Sequence, residues 1–198
     1  MAARRSKAKS TAGLCQIGVS NLQIKSGSLL VAHPAHADRS IKNHVVMITE
    51  STQSSTMGLT LNMPNPNNLA DVLQDQGYDW PFDDRLYTGG YYNTRSMILL
   101  HSSEWSSTST MQVARDWAVS SDALMLEKLE HYNAPIDFRL FVGCAGWQPH
   151  ELAAELKGKT PQWLVVPNPS RRVIMADADD QWTLAVMECS HNAVDSWL

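Results

Sequence analysis

Residues 27–62 read GSLLVAHPAHADRSIKNHVVMITESTQSSTMGLTLN, and three short runs within this stretch decide the fold. The runs at 28–32, 44–49 and 57–62 are rich in Leu, Val, Ile and Met, which is typical of β-strands with buried side chains. The polar run 51–56 separates the last two, and its Ser and Thr hydroxyls can bond to the backbone of a turn. The stretch therefore predicts three consecutive strands, of which the second and third form a hairpin.

Downstream of this stretch, the sequence predicts both strands and helices. Strands are predicted at 86–88, 96–101, 113–119, 138–142 and 163–166. Helices are predicted to begin at Asn68, at Ser120 or Ser121, at Pro149 and near Asp179 or Asp180, with a turn at Gly143–Gly146 before the third. Strands that occur both in succession and between helices favour a single α+β domain with a mixed, largely antiparallel sheet.

The composition is that of a globular protein. The chain has 198 residues, of which 43% are apolar and 18% are charged, so it is long enough to bury a core. No run approaches the ~20 consecutive apolar residues that a membrane-spanning helix needs, and no membrane span is expected. The cysteines Cys15, Cys144 and Cys189 are odd in number and far apart, which argues against a disulfide scaffold and for a reducing compartment.

The formal net charge of −4 is divided unevenly along the chain. Residues 1–25 contain five basic residues and no acidic residue, whereas residues 26–198 contain eleven basic and twenty acidic residues. We therefore divide the chain into a basic tail, residues 1–26, and a folded domain, residues 27–198. Three interpretations of the tail stay open: a plain flexible end, an arm for nucleic acid or an acidic partner, and a transit peptide.

The charge division restricts where nucleic acid can bind. Because the acidic body repels phosphates, nucleic acid is expected to bind only through the tail, weakly and with a steep loss of affinity in salt. The basic side chains of this arm are Arg4, Arg5, Lys7 and Lys9. The cytoplasm is the expected compartment, and an organelle is the alternative if residues 1–25 are a transit peptide.

The sequence offers no convincing metal or cofactor site. His33, His36 and His44 lie within twelve residues. Pro34 separates the first two, and a strand end followed by a loop does not bring imidazoles together as one helix face does, so we interpret them as ordinary loop and strand histidines. The nucleotide-binding patterns G-x-G-x-x-G and G-x-x-x-x-G-K-[ST] do not occur. We expect no metal and no cofactor.

Cys144 is the thiol with the most interesting sequence context. The predicted turn places it near the free amides and the positive dipole of a helix N-terminus, which lower a thiol pKa. A nucleophile elbow, however, needs a small residue two positions earlier, where this chain has Val142. Two interpretations remain, a reactive or redox-sensing thiol and a small residue that fits a tight turn.

Three segments, taken in order, resemble the AlgH/YqgE family of small bacterial proteins, which are often labelled as transcriptional regulators. The first motif segment comprises GSLLVAHP at 27–34, VVMITE at 45–50 and GLTLNMP at 58–64. The second comprises LYTGG at 86–90 and LLH at 99–101. The third comprises GCAGWQP at 143–149 with Leu152, Glu155 and Trp163. Because the segments keep the order and spacing of the family over residues 27–198, together they are far more specific than any one.

The chain also departs from the family pattern at polar or special backbone positions. Met63 stands where the family usually has Arg, Tyr91 where it has Pro, Cys144 where it has Tyr, and His150-Glu151 where it has Gly-Gln. The apolar frame persists, so we interpret the chain as a divergent member in which the shared surface is altered. A viral or mobile-element copy is one such lineage.

The resemblance implies a compact α+β fold whose bifurcated sheet is curled into a partial barrel with flanking helices. It also implies a cytoplasmic protein without established catalytic residues or cofactor. The matched motifs are expected to lie near one another, and their residues either shape turns and close packing or form a shared binding surface. The candidate residues of that surface are Asn62, Pro64, Gly89, Gly90, His101, Cys144, Ala145, Gly146 and Trp147.

The leading functional hypothesis is a non-catalytic binding or regulatory protein that acts through an unidentified protein partner. It rests on the resemblance and on the lack of a convincing catalytic set in the sequence. Three alternatives stay open: a structural or assembly protein, of a virus or mobile element for example, a weak nucleic-acid binder through the basic arm, and a thiol-based sensor or enzyme that uses Cys144.

Overall fold

The strands of the computed structural model follow the apolar runs of the sequence. The structure describes residues 24–36, 38–157 and 162–195, so most of the predicted basic tail lies outside the described residues. The described strands are β1 (Leu29–Ala32), β2 (Val45–Ser51), β3 (Thr56–Thr60), β4 (Leu86–Thr88), β5 (Tyr92–Ser102), β6 (Met111–Ala114), β7 (Trp117–Ser120), β8 (Phe138–Trp147) and β9 (Trp163–Val166). The described helices are α1 (Leu69–Gln74), α2 (Ala123–Glu130), α3 (Pro149–Lys157), α4 (Arg171–Ile174) and α5 (Ala178–Asp195).

The strands form one sheet in the order β6-β7-β5-β8-β3-β2-β1-β9, with β4 beside β8. Neighbouring strands pair antiparallel, and β4 alone runs parallel to its neighbour, β8, among the described pairs. The sheet curls so that β6, at one edge, contacts β2. The α+β fold with a mixed, mostly antiparallel sheet curled into a partial barrel is therefore confirmed.

The sheet divides at β8. Along one edge of this strand, residues 140–142 pair with β4 and residues 145–147 pair with β3. Along the other edge β8 pairs with β5. Gly143, at the division, has a φ of 69°, a left-handed conformation that glycine adopts without steric cost. The turn predicted at Gly143–Gly146 is thus wrong, because these residues continue β8 beyond the branch.

The central strands are buried on both faces, which explains why they are continuous apolar runs. Alternate residues of β1 point to opposite sides of the sheet. Leu29 and Val31 pack in one core with Phe141 of β8, and Leu30 packs in a second with Leu152 of α3. A third core, around α1 and α2, holds Leu69, Leu73, Leu99, Met125, Leu129 and Leu140.

The hairpin predicted between the second and third strands is confirmed. β2 and β3 pair antiparallel, and the hydroxyl of Thr52 organises the loop between them by accepting the backbone amides of Ser54 and Ser55. The single strand predicted at 113–119 is wrong. It is instead a hairpin of β6 and β7 that turns at Arg115 and Asp116, because two polar residues interrupt the apolar pattern.

The predicted helix starts are correct for α1 but not for α2. The side-chain oxygen of Asn68 accepts the amides of Ala70 and Asp71, as expected of an N-cap. The cap of α2 is Asp122, which accepts the Met125 amide, and not Ser120 or Ser121. Asp122 also accepts hydrogen bonds from the Ser107 and Ser109 hydroxyls of the loop at 106–110, and these bonds lower the pKa of its carboxyl to about 2 against the opposing effect of burial.

Helix α5 buries apolar residues together with one polar residue. Ala185 and Cys189 are buried, and Cys189 is disulfide-bonded, a pairing that the odd cysteine count did not lead us to expect. The side chain of Gln181 is fully buried. Its Nε2 donates to the carbonyls of Val173 and Ile174 at 2.8 Å each, which joins α5 to the C-terminal end of α4.

The Arg139 guanidinium is the buried cation that this helix pair covers. Its Nη1 donates to the carbonyl of Leu61 at 2.8 Å and to Oε1 of Gln181 at 3.4 Å, and its Nη2 donates to the carbonyl of Ala176 at 3.0 Å. The guanidinium carbon lies 4.5 Å from the centre of the Tyr87 ring. Arg139 therefore ties β8 to the end of β3, to β4 and to α5 at once.

Candidate functional site

Residues from all three motif segments line one pocket of about 220 Å³, which we call the motif pocket. Thr60 is the last residue of β3, and Gly90 lies between β4 and β5. The third segment contributes residues 145–147, at the end of β8. The motif residues that line it are Val46, Thr60, Met63, Gly90, Ala145, Gly146, Trp147, Glu155 and Trp163. Four of the nine predicted surface residues, Gly90, Ala145, Gly146 and Trp147, therefore line a common pocket.

The two adjacent glycines position the pocket by close backbone contact. Gly89 donates its amide to the Val142 carbonyl at 2.9 Å, and its own carbonyl accepts the Thr60 amide at 2.8 Å, which links β8 to β3. Gly90 has a φ of 153° and lies against the backbone of Cys144 and Ala145, where a Cβ would overlap main-chain atoms. Both positions therefore have a backbone reason for being glycine.

A carboxylate shared by two tryptophans lines the pocket. Oε2 of Glu155, on α3, accepts Nε1–H of Trp147 at 3.1 Å and Nε1–H of Trp163 at 2.6 Å. The two indole rings are 6.2 Å apart and nearly perpendicular, at 85°. None of the described residues donates a hydrogen bond to the other oxygen, Oε1. This oxygen is consequently available to a ligand.

Two exposed tyrosines form the rim of the pocket. Tyr91 and Tyr92 are 77% and 59% exposed, and both line the pocket. The Tyr92 ring lies so close to Gly146 that a Cβ on Gly146 would be 3.3 Å from its Cδ2. The glycine therefore gives the ring room to lie over the end of β8.

His44 lines the pocket as a neutral group. Burial is the main cause that lowers its pKa, Asp38 opposes the shift, and the nearby His36 adds to it. Burial also lowers the pKa of His33. Among the residues that the structure describes, no three His, Cys, Asp or Glu side chains are placed to hold a metal ion.

Asn62 and Pro64 flank the pocket without lining it. Oδ1 of Asn62 accepts the Val45 amide at 2.9 Å, and its Nδ2 donates to the Asn43 carbonyl at 2.7 Å, so it holds the loop before β2. Pro64 pairs with Tyr87 in an isolated bridge. These two motif residues act on the backbone around the pocket.

His101 lies away from the motif pocket and is fully buried. Its Nε2 is 3.0 Å from Oγ of Ser120, and its Nδ1 is 3.0 Å from the Ser102 carbonyl. Since a carbonyl can only accept, Nδ1 carries the proton and Nε2 accepts from the serine hydroxyl. Ser120 in turn contacts Oγ1 of Thr110 at 2.7 Å. The pair resembles a nucleophile and base, yet it is closed to solvent.

The neutral state of His101 predicts an acid-sensitive fold. Burial lowers its pKa in the folded protein, whereas the unfolded chain takes up a proton near the ordinary value of about 6.5. The contribution of His101 to the free energy of unfolding should therefore be fully present above that pH. It should decrease as the pH falls toward the pKa of His101 in the folded protein. Urea unfolding from about pH 7.5 to about pH 5.5 measures this loss.

The matched variant for this measurement is His101→Gln. His33 and His44 contribute with the same sign in both proteins, so the difference between the two pH profiles isolates His101. We expect the variant to be less stable at neutral pH and to lose less stability on acidification. Parallel profiles for the two proteins would contradict the neutral, buried assignment of His101.

Cys144 lies in the middle of β8 and beneath the pocket, not at a helix N-terminus. It is 5% exposed, and its Sγ is 3.7 Å from the Tyr92 carbonyl, to which the thiol can donate. Burial raises the pKa of the thiol. The environment is therefore the opposite of the electropositive, accessible one that activates cysteines.

We expect Cys144 to react slowly with alkylating reagents in the folded protein. Because its thiolate is disfavoured and shielded, its alkylation at neutral pH should be at least about tenfold slower than in the urea-unfolded chain. Mass spectrometry of the peptide that contains Cys144, after timed exposure to iodoacetamide, measures the rate. A folded-state rate equal to or above the unfolded one would favour the reactive-thiol alternative.

A larger cleft of about 770 Å³ lies beside the β6–β7 turn. Arg171 binds Asp137 in its wall through two hydrogen bonds, the second from Nη2 to Oδ1 at 2.6 Å. In this ion pair the two opposite charges offset each other. The motif segments meet at the smaller pocket, which we therefore take as the candidate site. The arm residues Arg4, Arg5, Lys7 and Lys9 lie outside the described residues.

The comparison with known proteins assigns the chain to a family. Residues 29–193 match the family model described as AlgH-like. The chain belongs to the AlgH-like family. A UPF0301 protein of Cereibacter sphaeroides is 29% identical to this AlgH-like protein over 163 residues, which cover 80% of this chain and 88% of the relative. A UPF0301 protein of Xanthomonas oryzae pv. oryzae is 25% identical over 164 residues, 81% of this chain and 86% of the relative.

Solved structures agree with this assignment. The AlgH protein of Pseudomonas aeruginosa matches with a TM-score of 0.70 and 26% identity, covering 92% of each chain. Protein DIP2367 of Corynebacterium diphtheriae matches with a TM-score of 0.68 and 21% identity, covering 87% of this chain and 93% of the other, and it shows the shared fold. None of the described helices is long and apolar enough to cross a membrane.

Sequence reasoning found the AlgH-like motifs but missed part of the pocket. Tyr92 and Ile41 line it and lie outside the quoted motifs. Trp147, Glu155 and Trp163 all belong to the third motif, but the sequence did not predict that both indoles donate to the Glu155 carboxylate. Each tryptophan stands eight residues from Glu155 in the sequence, a spacing that does not by itself predict the contact.

Proposed function

We propose that this AlgH-like protein is a non-catalytic binding protein that acts through protein contacts at the motif pocket. The observation that carries the proposal is the pair of exposed tyrosines, Tyr91 and Tyr92, at the rim of a pocket walled by Trp147 and Trp163. Tyrosine and tryptophan are enriched among the residues that dominate protein interfaces. A partner side chain that enters the pocket would be surrounded by such rings.

Two further observations support a binding role over a catalytic one. The pairing of Ser120 with His101 is buried from substrate, and the thiol of Cys144 is buried with a raised pKa. The sequence indicated Cys144 as a candidate nucleophile, and the structure places Ser120 beside a base. A regulatory role, including one in transcription, would then run through a protein partner, since the acidic body repels phosphates.

The test of this proposal is affinity capture from the native source with matched variants. The double variant Tyr91→Ser/Tyr92→Ser removes the rim, while Tyr132→Ser removes a tyrosine that is 74% exposed and does not line the pocket. We expect a partner that the wild type and Tyr132→Ser both retain, and that the double variant loses by at least about tenfold. Equal retention by the double variant would contradict the proposal.

The basic tail supports a second candidate, weak nucleic-acid binding through Arg4, Arg5, Lys7 and Lys9. A gel-shift assay compares the full-length protein with a chain that starts at Gly27. Binding by the full-length protein alone, lost as salt rises, supports this candidate. Equal binding by both chains, or by neither, overturns it.

The proposed compartment is the cytoplasm, as the family resemblance implies. The alternative, an organelle, depends on residues 1–25, whose basic and acid-free composition is shared by transit peptides. A fluorescent reporter that carries these residues at its N-terminus separates the two. The reporter stays in the cytoplasm on our proposal, and its import into an organelle overturns it.

A further inference from the structure

We propose that the motif pocket recognises an alkylammonium group, namely the lysine side chain of a partner protein. This inference rests on the proposed function and deepens it, because it names the chemistry by which a partner is bound. The arrangement that carries it is a carboxylate, Glu155, that lines a pocket together with four aromatic residues and is held by two of them.

The carboxylate of Glu155 has bonding capacity left for a cation. Its Oε2 accepts both indole N–H groups, from Trp147 and Trp163, and no described residue donates to Oε1. A carboxylate offers about four lone-pair sites, so an ammonium can bond to Oε1 without displacing either indole. Such charge-assisted hydrogen bonds are among the stronger ones in proteins. The two indoles also fix the carboxylate in place before a ligand arrives.

The aromatic side chains supply the second element of cation recognition. Trp147 and Trp163 stand nearly perpendicular, at 85°, and both line the pocket together with Tyr91 and Tyr92. A cation is attracted to the face of such rings, most strongly to tryptophan. Cages of this composition bind alkylated ammonium groups in general.

The charge of the surroundings favours a cationic ligand. Among the described residues, the lining contains one carboxylate and no lysine or arginine. Met63 contributes an apolar wall, and His44 is neutral at neutral pH because burial lowers its pKa. Residues 26–198 contain twenty acidic and eleven basic residues, so the whole body attracts cations at longer range.

The size of the pocket favours one side chain over a whole small molecule. Its volume is about 220 Å³, below the roughly 300–1,000 Å³ of pockets that enclose a drug-sized ligand. Two of its lining residues, Tyr91 and Tyr92, are exposed, so a side chain can enter the pocket from the surface while its backbone stays outside. We therefore assign the ammonium to a lysine of a protein.

The experiment titrates the full-length protein with short peptides that differ at one position. The position holds lysine, trimethyl-lysine or norleucine, of which norleucine keeps the alkyl chain and removes the charge. The readout is the pair of indole N–H signals of Trp147 and Trp163 in an NMR spectrum. We expect a cationic peptide to shift both signals and to bind at least about tenfold more tightly than the norleucine peptide.

Variants identify the groups responsible. Glu155→Gln keeps an oxygen that can accept from the indoles and removes the charge, so it should weaken the lysine peptide, whose ammonium donates to the carboxylate, at least about tenfold and leave the norleucine peptide unchanged. Glu151→Gln, on the same helix and outside the pocket lining, is the matched control and should bind as the wild type does. Tyr92→Phe should keep binding, because it retains the ring.

The inference is overturned if norleucine binds as tightly as both cationic peptides, if no peptide shifts the indole signals, or if Glu155→Gln binds like the wild type. Tighter binding of free butylammonium than of every peptide also overturns the assignment to a protein lysine. The proposed function is judged separately. If the peptides fail while Tyr91→Ser/Tyr92→Ser still loses its captured partner, the ammonium inference falls and the proposed function stands.

Discussion

The Gly90→Ala variant is expected to have a free energy of unfolding about 3 kcal/mol lower than that of the wild type, or to fail to fold. Gly90 has a φ of 153°, a conformation that alanine rarely adopts. A Cβ at this position would also overlap the carbonyl carbon of Cys144 and the amide nitrogen of Ala145. Because both obstacles are main-chain atoms of β8, the strand itself would have to move. Urea unfolding measures the loss.

The matched control is Gly77→Ala. Gly77 has a φ of 88°, and a Cβ there would meet no atom within 4 Å, so this variant carries the backbone strain without the overlap. Its expected loss is about 1 kcal/mol. Equal losses for the two variants would show that the second motif does not pack on β8 as described.

The Arg139→Met variant is expected to lose about 3 kcal/mol of unfolding free energy. Methionine fills much of the space but leaves the carbonyls of Leu61 and Ala176 without their donor, and it removes the cation from the Tyr87 ring. Each buried acceptor left without a partner costs about 1–3 kcal/mol. Removal of the guanidinium should also weaken the packing of α5, because Gln181 of this helix bonds to it.

Arg115→Met is the control for this effect, since its side chain is 95% exposed. Exposed substitutions usually change stability by no more than about 0.5 kcal/mol. Chemical unfolding of both variants under the same conditions gives the comparison. If Arg139→Met were as stable as Arg115→Met, the buried guanidinium would have no structural role.

Local sequence patterns were sufficient where one chain segment determines its own environment. The runs at 28–32 and 44–49 contain the uninterrupted apolar stretches 29–32 and 45–48, and these predict strands that are buried on both faces, as β1 and β2 largely are. Asn68 caps the helix that follows it because the bonds it makes are to its near neighbours. The family motifs added which segments lie near one another in the fold, and local sequence patterns do not supply this information.

Long-range contacts explain what the sequence did not predict. Gly143 and Gly146 are typical of a turn, yet β3 and β5 pair with both ends of β8 and hold the strand extended. Gln181 is polar but buried, because its partners are on α4 and at Arg139, 42 residues away. The charge of Arg139 alone indicated an exposed side chain.

The motif pocket illustrates the same limit. The motifs predicted that Gly90 and Trp147 lie close together, and they do. The bonds from Trp147 and Trp163 to Glu155 depend on the angle at which α3 leaves β8 and on the pairing of β9 with β1. No local pattern specifies either, so the sequence could not predict that the Glu155 carboxylate lines the pocket.

Site-specific crosslinking tests most directly the central claim that a protein partner binds over the motif pocket. The photoreactive residue p-benzoylphenylalanine replaces Tyr92 in one protein and Tyr132, which is similarly exposed, in the other. Both proteins are irradiated in the native extract. The account predicts that the residue at position 92 crosslinks to a discrete protein and that the residue at position 132 does not. Crosslinking to that protein from position 132 alone, or equally from both positions, would contradict it.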